Sequence, residues 1–295
     1  MMTSMEMQSP SSSPSPFCCD FEGQERTIAS GTCFAIERVI KEPLLWQPAA
    51  LDWLESDLEL VYGIGPQTSA KLRTAGCNSL EQLLDHPRFG ADAARTLEDI
   101  RERNILALLN RGVRDADLLS FYKPQHLVFM DIETTSLYNS QPLFLVGMLF
   151  AEDDHLVLKQ FFARHYCEEK ALIELAYQEL ATVPVMVTYN GRSFDVPYLN
   201  ARAAAHRLDI RLHHIHLDLL PHTRRKYRGT LPNCRLHTVG EALLGMDRSS
   251  DIPGDLIPQI YHDFVQTQNP DLIRNVLEHN AMDLISLARI LPDLA

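Results

Sequence analysis

The feature that most constrains the fold is a change of sequence pattern near Pro124. Beyond it, three apolar runs of strand length follow one another with short links. They cover residues 126–133, 142–151 and 155–163. Short links between successive strands are typical of an antiparallel meander. A helical pattern over residues 168–183 then leads to a fourth apolar run at 184–190, which predicts a crossover to a parallel strand.

The rest of this region continues the alternation. Residues 193–208 predict a helix, residues 213–220 a fifth strand, and Pro270 to Leu294 a long final helix. The order is therefore βββαβαβα. We expect an α/β domain with a mixed five-stranded sheet flanked by helices.

The N-terminal part has a different pattern. Residues 1–24 are rich in Ser, Pro and Met, and we expect a disordered tail there. An apolar alternation from Thr32 to Ile40 predicts a short strand or hairpin, and most of the following residues read as short helices. We assign residues 25–118 to a small helical unit and residues 124–295 to the α/β domain.

Composition excludes several classes of protein. The chain has 295 residues, of which 45% are hydrophobic and 22% charged, as in ordinary globular proteins. No apolar run approaches the roughly 20 residues of a membrane span, and we see no leader sequence, so we expect a cytoplasmic protein without membrane contact. The six cysteines lack metal-type spacing and are interpreted as reduced structural thiols. A net charge of -12 argues against a protein that coats nucleic acid nonspecifically, but it is compatible with a nuclease, whose metal site is itself acidic.

Asp131 and Glu133 end the first strand of the α/β domain. Because strand side chains alternate, both carboxylates point to the same face. Two carboxylates about 4 Å apart repel by roughly 4 kcal/mol at an effective dielectric constant near 20, and a bound cation would offset this repulsion. The alternative is a pair of solvated acids at a strand end.

Two further acids stand at helix positions. Asp195 follows the sequence YNGRSF and falls in the first turn of a helix, where an N-cap role is the alternative. His279 and Asp283 lie four residues apart on the last helix and therefore share a face, where a surface pair is the alternative.

Taken together, the strings DIETT at 131, YNGRSFDVP at 189, DIPGDLIPQIY at 251 and HNAMD at 279 resemble a known group. The chain is similar to the 3′-to-5′ exonucleases of the DEDD type, and within them to the YprB-type ribonuclease H-like domain, over roughly residues 124–293. The element order is also that of a ribonuclease H-like mixed sheet.

The resemblance implies a metal-dependent nuclease. Its metal ligands would be Asp131, Glu133, Asp195 and Asp283, holding two Mg²⁺ or Mn²⁺ ions, which prefer such hard oxygen donors. His279 would orient or deprotonate the attacking water. It stands four residues before Asp283, where the common subclasses have a Tyr, or a His one residue earlier.

Basic residues near the end of the fifth strand are candidates for nucleic-acid binding. Their alternative is a solvated basic loop. We include the residues beside Asp195 and a Gly-rich turn that resembles a helix-hairpin-helix, which can grip a phosphate through backbone N–H groups or simply pack helices together. The candidates are Tyr189, Asn190, Arg192, Arg224, Arg225, Lys226 and Tyr227, and, in the helical unit, Gly63, Gly65 and Lys71.

These features predict a 3′-to-5′ exonuclease that hydrolyses DNA or RNA, with a single-stranded end as substrate, by a two-metal mechanism. A structure-specific endonuclease and a noncatalytic nucleic-acid-binding module remain alternatives. The sequence does not identify any protein partners, which stay unknown at this point.

Overall fold

A computed structural model describes residues 22–248 and 251–294. The predicted N-terminal tail lies outside these residues, except that its last positions begin the first strand. Seven strands form one sheet: β1 Gly23–Ile28, β2 Gly31–Ile40, β3 Leu127–Thr134, β4 Leu143–Ala151, β5 Leu156–Phe162, β6 Val185–Thr188 and β7 Ile215–Asp218. Their spatial order is β1-β2-β5-β4-β3-β6-β7.

The sheet is mixed, as predicted. In the spatial order β1-β2-β5-β4-β3, each strand pairs antiparallel with the next, which confirms the meander of β3, β4 and β5. β6 pairs parallel to both β3 and β7. Parallel neighbours need a crossover connection between them, and here a helix precedes each of β6 and β7 and returns the chain to the start of the sheet.

The expected strand number of five is wrong. The hairpin β1–β2 pairs along the open edge of β5, from Phe34 opposite Phe162 to Ile40 opposite Leu156. It covers backbone groups that an edge strand would otherwise expose, and it buries Cys33, Phe34 and Ile36. Residues 23–40 therefore belong to the sheet, and the helices of the N-terminal region begin at Asp52.

Eleven α-helices lie in the described part of the chain. Five short ones form the N-terminal helical region: α1 Asp52–Glu55, α2 Pro66–Thr74, α3 Gly90–Arg101, α4 Ile105–Asn110 and α5 Asp115–Leu118. Six belong with the sheet: α6 Glu169–Leu180, α7 Asp195–Ala205, α8 Leu219–Tyr227, α9 Leu236–Leu244, α10 Ile257–Thr267 and α11 Pro270–Leu294. None of the helices in residues 22–248 and 251–294 is both long and apolar enough to cross a membrane.

Helix α11 covers one face of the sheet and positions much of the site. Its apolar residues recur at helical spacing, and Ala281, Leu284 and Leu287 pack with Phe129 and Val187 of the central strands. A second apolar cluster fills the opposite face beneath α6 and α10, and a third holds the helical region together. The C-terminal end of β3 is thus fixed from both sides.

Candidate active site

Asp131 and Glu133 lie at the end of β3 and face α11. Asp131 stands opposite Gly147 of β4, and it accepts a hydrogen bond of 2.9 Å at Oδ2 from Asn280 Nδ2 of α11. Glu133 follows at the same parity and therefore points to the same face. The alternation predicted from the sequence is the geometry observed.

Asp195 joins these acids from α7. Its Oδ1 accepts a hydrogen bond of 3.3 Å from the backbone N–H of Ile132, the residue between Asp131 and Glu133. Burial and the neighbouring charges of Asp218 and Asp283 outweigh its backbone hydrogen bonds and raise the pKa of Asp195 to about 7. A cation bound beside this buried carboxyl would stabilise its charged form and lower its pKa.

The four acids are close enough to act on one another. Burial raises the pKa of Asp131 well above its ordinary value, and the charges of Glu133, Asp195 and Asp283 raise it further. Burial and the charges of Asp283 and Asp195 do the same to Glu133. We call these four residues, Asp131, Glu133, Asp195 and Asp283, the acid cluster.

An arginine already neutralises part of the acid cluster. Arg248 is buried and pairs with Asp283 and with Asp251. Burial favours the neutral form of Arg248, but the two carboxylates more than offset this and raise the pKa of its guanidinium. Sequence reasoning missed Arg248, because it follows α9 in an irregular segment without a periodic pattern.

The donor chemistry of the acid cluster fits divalent metals that prefer oxygen ligands. Among the described residues, however, no three His, Cys, Asp or Glu side chains are arranged so that they could hold a metal ion. The bond from Arg248 to Asp283 turns one of the four carboxylates toward a guanidinium. Arg248 thus engages Oδ1 of Asp283, whereas Oδ2 lies on the side of His279.

His279 lies between two carboxylates on the same side of the site. Its Nδ1 is 2.8 Å from Asp251 Oδ1, and its Nε2 is 3.7 Å from Asp283 Oδ2. Burial raises the pKa of Asp251, but His279 and Arg248 outweigh this, so that it stays below its ordinary value. In the sequence Asp251 stood out only as part of the string DIPGD, whereas the structure makes it the partner of His279.

Asp218 positions the loop that leads to Asp195. It ends β7, is buried, and accepts hydrogen bonds from the N–H groups of Asn190 at 2.8 Å and Arg192 at 3.1 Å. Gly191 in this loop lies against Thr188, whose Oγ1 would be 2.3 Å from a Cβ atom at that position. The only sequence signal for Asp218 was its place at the end of a strand.

A cavity of about 800 Å³ lies beside the loop, on the α8 and α9 side. Its lining includes Tyr189, Asn190, Arg224, Arg228 and Arg235. The side chains of these three arginines form no ion pair with the described residues. We call this feature the arginine cavity.

The arginine cavity and the acid cluster adjoin neighbouring strands, because the cavity lining includes residues that follow β6, and Asp131 and Glu133 end β3, which pairs with β6. Phe129 pairs with Val187 at the end of the recorded pairing, and Asp131 and Tyr189 each follow two residues further along their chain segments. Adjacent strands are roughly 4.8 Å apart. Tyr189 packs on the α11 face and donates a hydrogen bond of 2.8 Å to the carbonyl of Cys234.

Several predicted nucleic-acid contacts point elsewhere. Lys226 and Tyr227 both bind Asp293 of α11, and Arg192 binds Asp115 of the helical region. Arg225 is exposed on α8, outside the lining of the cavity. The structure therefore gathers Tyr189, Asn190 and Arg224 but leaves the other members of the predicted basic group apart.

The Gly-rich turn of the helical region has its own partners. Gly63 has a positive φ of 85°, Gly65 caps α2, and Lys71 is exposed on that helix. The N–H of Tyr62 beside them donates to Asp92. No hydrogen bond or ion pair within the described residues joins Gly63, Gly65 or Lys71 to the acid cluster.

Comparisons with known proteins identify the class. Residues 128–295 match the sequence model of the RNase_H superfamily. This is more than half of the chain, and the chain therefore belongs to that superfamily.

Two further similarities are more limited. Over 170 residues the chain is 35% identical to a Bacillus subtilis (strain 168) protein named "Uncharacterized protein YprB", and the match covers 56% of this chain and 41% of that relative. The chain thus spans less than half of the relative's length. It also resembles the family B DNA polymerase of the hyperthermophilic archaeon Pyrobaculum calidifontis, with a TM-score of 0.46 and 19% identity, over 57% of this chain and 24% of that one.

Proposed function

We propose that this chain is a metal-dependent nuclease that removes nucleotides from the 3′ end of DNA or RNA. The acid cluster carries the proposal. Asp131, Glu133 and Asp195 meet at one strand end, where burial and the neighbouring acids, Asp283 among them, raise their pKa values. Packing does not reward such an arrangement without compensating positive charge. Membership of the RNase_H superfamily supports a nuclease at this position.

Asp131, Glu133, Asp195 and Asp283 would hold two Mg²⁺ or Mn²⁺ ions. When bound, two such ions supply charge stabilisation to the attacking and leaving oxygens of a phosphodiester in an in-line displacement. His279, held by Asp251, would accept the proton of the attacking water. This assignment separates the acids that hold the metal ions from the residues that act on the water.

The arginine cavity would receive the nucleic-acid strand. Arg224, Arg228 and Arg235 have no carboxylate partner among the described residues and are available to phosphates. The half-buried Tyr189 lines the same cavity and directly follows β6, the strand that pairs with β3. A single-stranded end fits this arrangement, and the helix-hairpin-helix-like turn around Gly63 would guide the strand. We place the protein in the cytoplasm.

The test is degradation of a single-stranded DNA and an RNA of equal sequence, each labelled at the 5′ end, with Mg²⁺, Mn²⁺ or EDTA. Asp131→Asn should lower the cleavage rate by at least about 100-fold, more than loss of a residue that only supports a ligand. It should also abolish Mn²⁺ binding in calorimetry while the protein stays folded. Asp154→Asn is the matched control, because Asp154 is an exposed acid whose ion-pair partner is His155.

The products decide between the alternatives. A metal-dependent ladder that shortens from the 3′ end, absent in Asp131→Asn, would establish the exonuclease and its preferred sugar. Discrete internal cuts would replace it by the endonuclease. Uncut oligonucleotide that is retarded on a gel would make the noncatalytic binding module the better description.

A further inference from the structure

A line of polar groups crosses the sheet beneath α11 and ends at the acid cluster. Asp131 of β3, Gly147 of β4 and Gln160 of β5 are direct neighbours in the register of the three strands. Asn280 of α11 lies over the glycine in the middle of this line. The polar side chains of Asn280 and Gln160 are fully buried. Apolar residues such as Leu277 and Phe161 lie close to them in the chain.

Gly147 makes this approach possible. A Cβ atom at position 147 would be 2.0 Å from Asn280 Oδ1 and 2.8 Å from a methyl group of Leu284. Only glycine therefore admits the amide of Asn280 between the helix and the sheet. The amide of Asn280 occupies the space that a side chain at position 147 would fill, because its Oδ1 is the atom nearest to that position.

The hydrogen bonds run in one direction along this line. Gln160 Nε2 donates to the carbonyl of Leu277 at 2.8 Å and to Asn280 Oδ1 at 2.9 Å. Asn280 Nδ2 then donates to Asp131 Oδ2 at 2.9 Å. A backbone carbonyl at one end and a carboxylate at the other accept only, so both ends require the same orientation of the two amides.

The orientation of the Gln160 amide leaves its own oxygen without a hydrogen bond from the described residues. Gln160 Oε1 is buried and has no hydrogen-bond partner among the residues that the structure describes. Gln160 also lines a cavity of about 240 Å³ with Arg38 and Glu278. A helix that only had to pack on the sheet would carry an apolar residue at 280, as it does at 277 and 284. Packing alone thus does not account for either amide.

We propose that Asn280 and Gln160 are positioning residues of the acid cluster. Gln160 fixes the orientation of the Asn280 amide, and Asn280 holds one oxygen of Asp131 so that the other oxygen, Oδ1, is kept for the cation. Oδ1 accepts no hydrogen bond from any residue that the structure describes. The inference rests on the proposed function to the extent that Asp131 is a cation ligand.

Gln160→Met and Asn280→Ala test the proposal. Methionine is apolar and of similar length, so it keeps the packing of Gln160 but removes its amide, of which only Nε2 forms hydrogen bonds with described residues. We expect both variants to weaken Mn²⁺ binding in calorimetry by about 10–100-fold, the range found when partners of metal ligands are removed. We expect kcat on the oligonucleotide to fall by a similar factor at saturating Mn²⁺, with KM nearly unchanged.

Lys159→Met is the matched control. Lys159 precedes Gln160 on β5, points to the other face and pairs with Glu179. The Lys159→Met variant should bind Mn²⁺ with the same affinity as the wild type. If Asn280→Ala does not fold, Gln160→Met decides alone, because it leaves Asn280 and Gly147 in place.

A spectroscopic readout separates positioning from packing. In ¹⁵N-labelled protein, the side-chain amide signal of Asn280 is identified by its loss in Asn280→Ala. Titration with Mg²⁺ should shift this signal in the wild type, but not in Asp131→Asn. An amide that only packs the helix on the sheet would not respond to the metal.

The outcomes separate this inference from the proposed function. Wild-type affinity for Mn²⁺ in both variants would overturn the inference and leave the nuclease intact. If the wild type binds Mn²⁺ but cleaves nothing, the nuclease proposal fails, and the affinities of the variants still decide the inference. If the wild type binds no Mn²⁺, both fall.

Discussion

The imidazole of His279 has a defined orientation because Asp251 accepts its Nδ1 proton at 2.8 Å, which leaves Nε2 on the side of Asp283. Asp251→Asn keeps the shape of the side chain but removes the charge that selects this tautomer. We expect kcat to fall about 10–100-fold, with the KM for the oligonucleotide nearly unchanged. Steady-state kinetics check this, with Asp255→Asn, an exposed acid in the same turn, as the control. Equal kcat values in the two variants would show that Asp251 does not orient a catalytic base.

His216 of β7 makes the stability of the fold depend on pH. Burial, assisted by the charge of Arg192, lowers the pKa of His216 to about 4. A histidine with a lowered pKa contributes stability above its unfolded pKa of about 6.5, and this contribution is lost as the pH falls toward about 4. At pH 5 the loss from this residue is about 2 kcal/mol relative to pH 7.

Urea unfolding at pH 7 and pH 5 measures this contribution. On going from pH 7 to pH 5, His216→Gln should lose about 2 kcal/mol less stability than the wild type, because the other titrating groups contribute equally to both proteins. His237→Gln, which removes an exposed histidine of α9, should keep the wild-type difference. A His216→Gln protein that loses as much stability as the wild type would refute the assignment.

Residue patterns could predict where the acids stand but not what holds them. Alternation along β3 and the four-residue spacing on α11 are enough to place Asp131, Glu133 and Asp283 on definite faces. The ion pairs of Arg248 depend on an irregular segment whose path no periodicity encodes. Gln160 stood in the sequence as a polar residue in an apolar run, yet only the strand register shows that it points at Asn280.

At the scale of elements, the contact of α11 with β4 depends on the missing side chain of Gly147. Gly147→Ala would force Asn280 and Leu284 away from the sheet. Overpacking of this kind typically costs about 1–3 kcal/mol. We expect a lower free energy of unfolding in urea. Gly254→Ala is the control, because no atom of the described residues, its two chain neighbours apart, lies within 4 Å of a Cβ there. Equal stability of both variants would contradict the close contact at Gly147.

The strands of the central sheet were predictable because their signals are local. The run LFLVGMLFA is buried along its whole length, and its composition predicts a strand without knowledge of its neighbours. The hairpin β1–β2 was not predictable as part of the sheet, since its place depends on pairing with β5, far along the chain. Its alternation predicts a strand but does not say which edge the strand joins.

For the whole molecule, the distribution of charge matters more than its sum. The chain has a net charge of -12, and carboxylates pair with some of the basic side chains, such as Lys226 with Asp293 and Arg192 with Asp115. The guanidinium groups that line the arginine cavity have no such partner among the described residues. A strand bound there meets two or three unpaired guanidinium groups on an acidic protein.

The salt dependence of binding should therefore be shallow. Each phosphate neutralised on a single strand contributes about -0.7 to the slope of log Kobs against log salt, so two or three contacts give about -1.4 to -2.1. Fluorescence anisotropy with a phosphorothioate-ended oligonucleotide and Mg²⁺ measures this slope. Arg224→Gln should reduce its magnitude by about 0.7, whereas Lys226→Gln should leave it unchanged, because Lys226 is held by Asp293. An equal effect of the two variants would mean that the strand runs along the exposed surface of α8 and not through the arginine cavity.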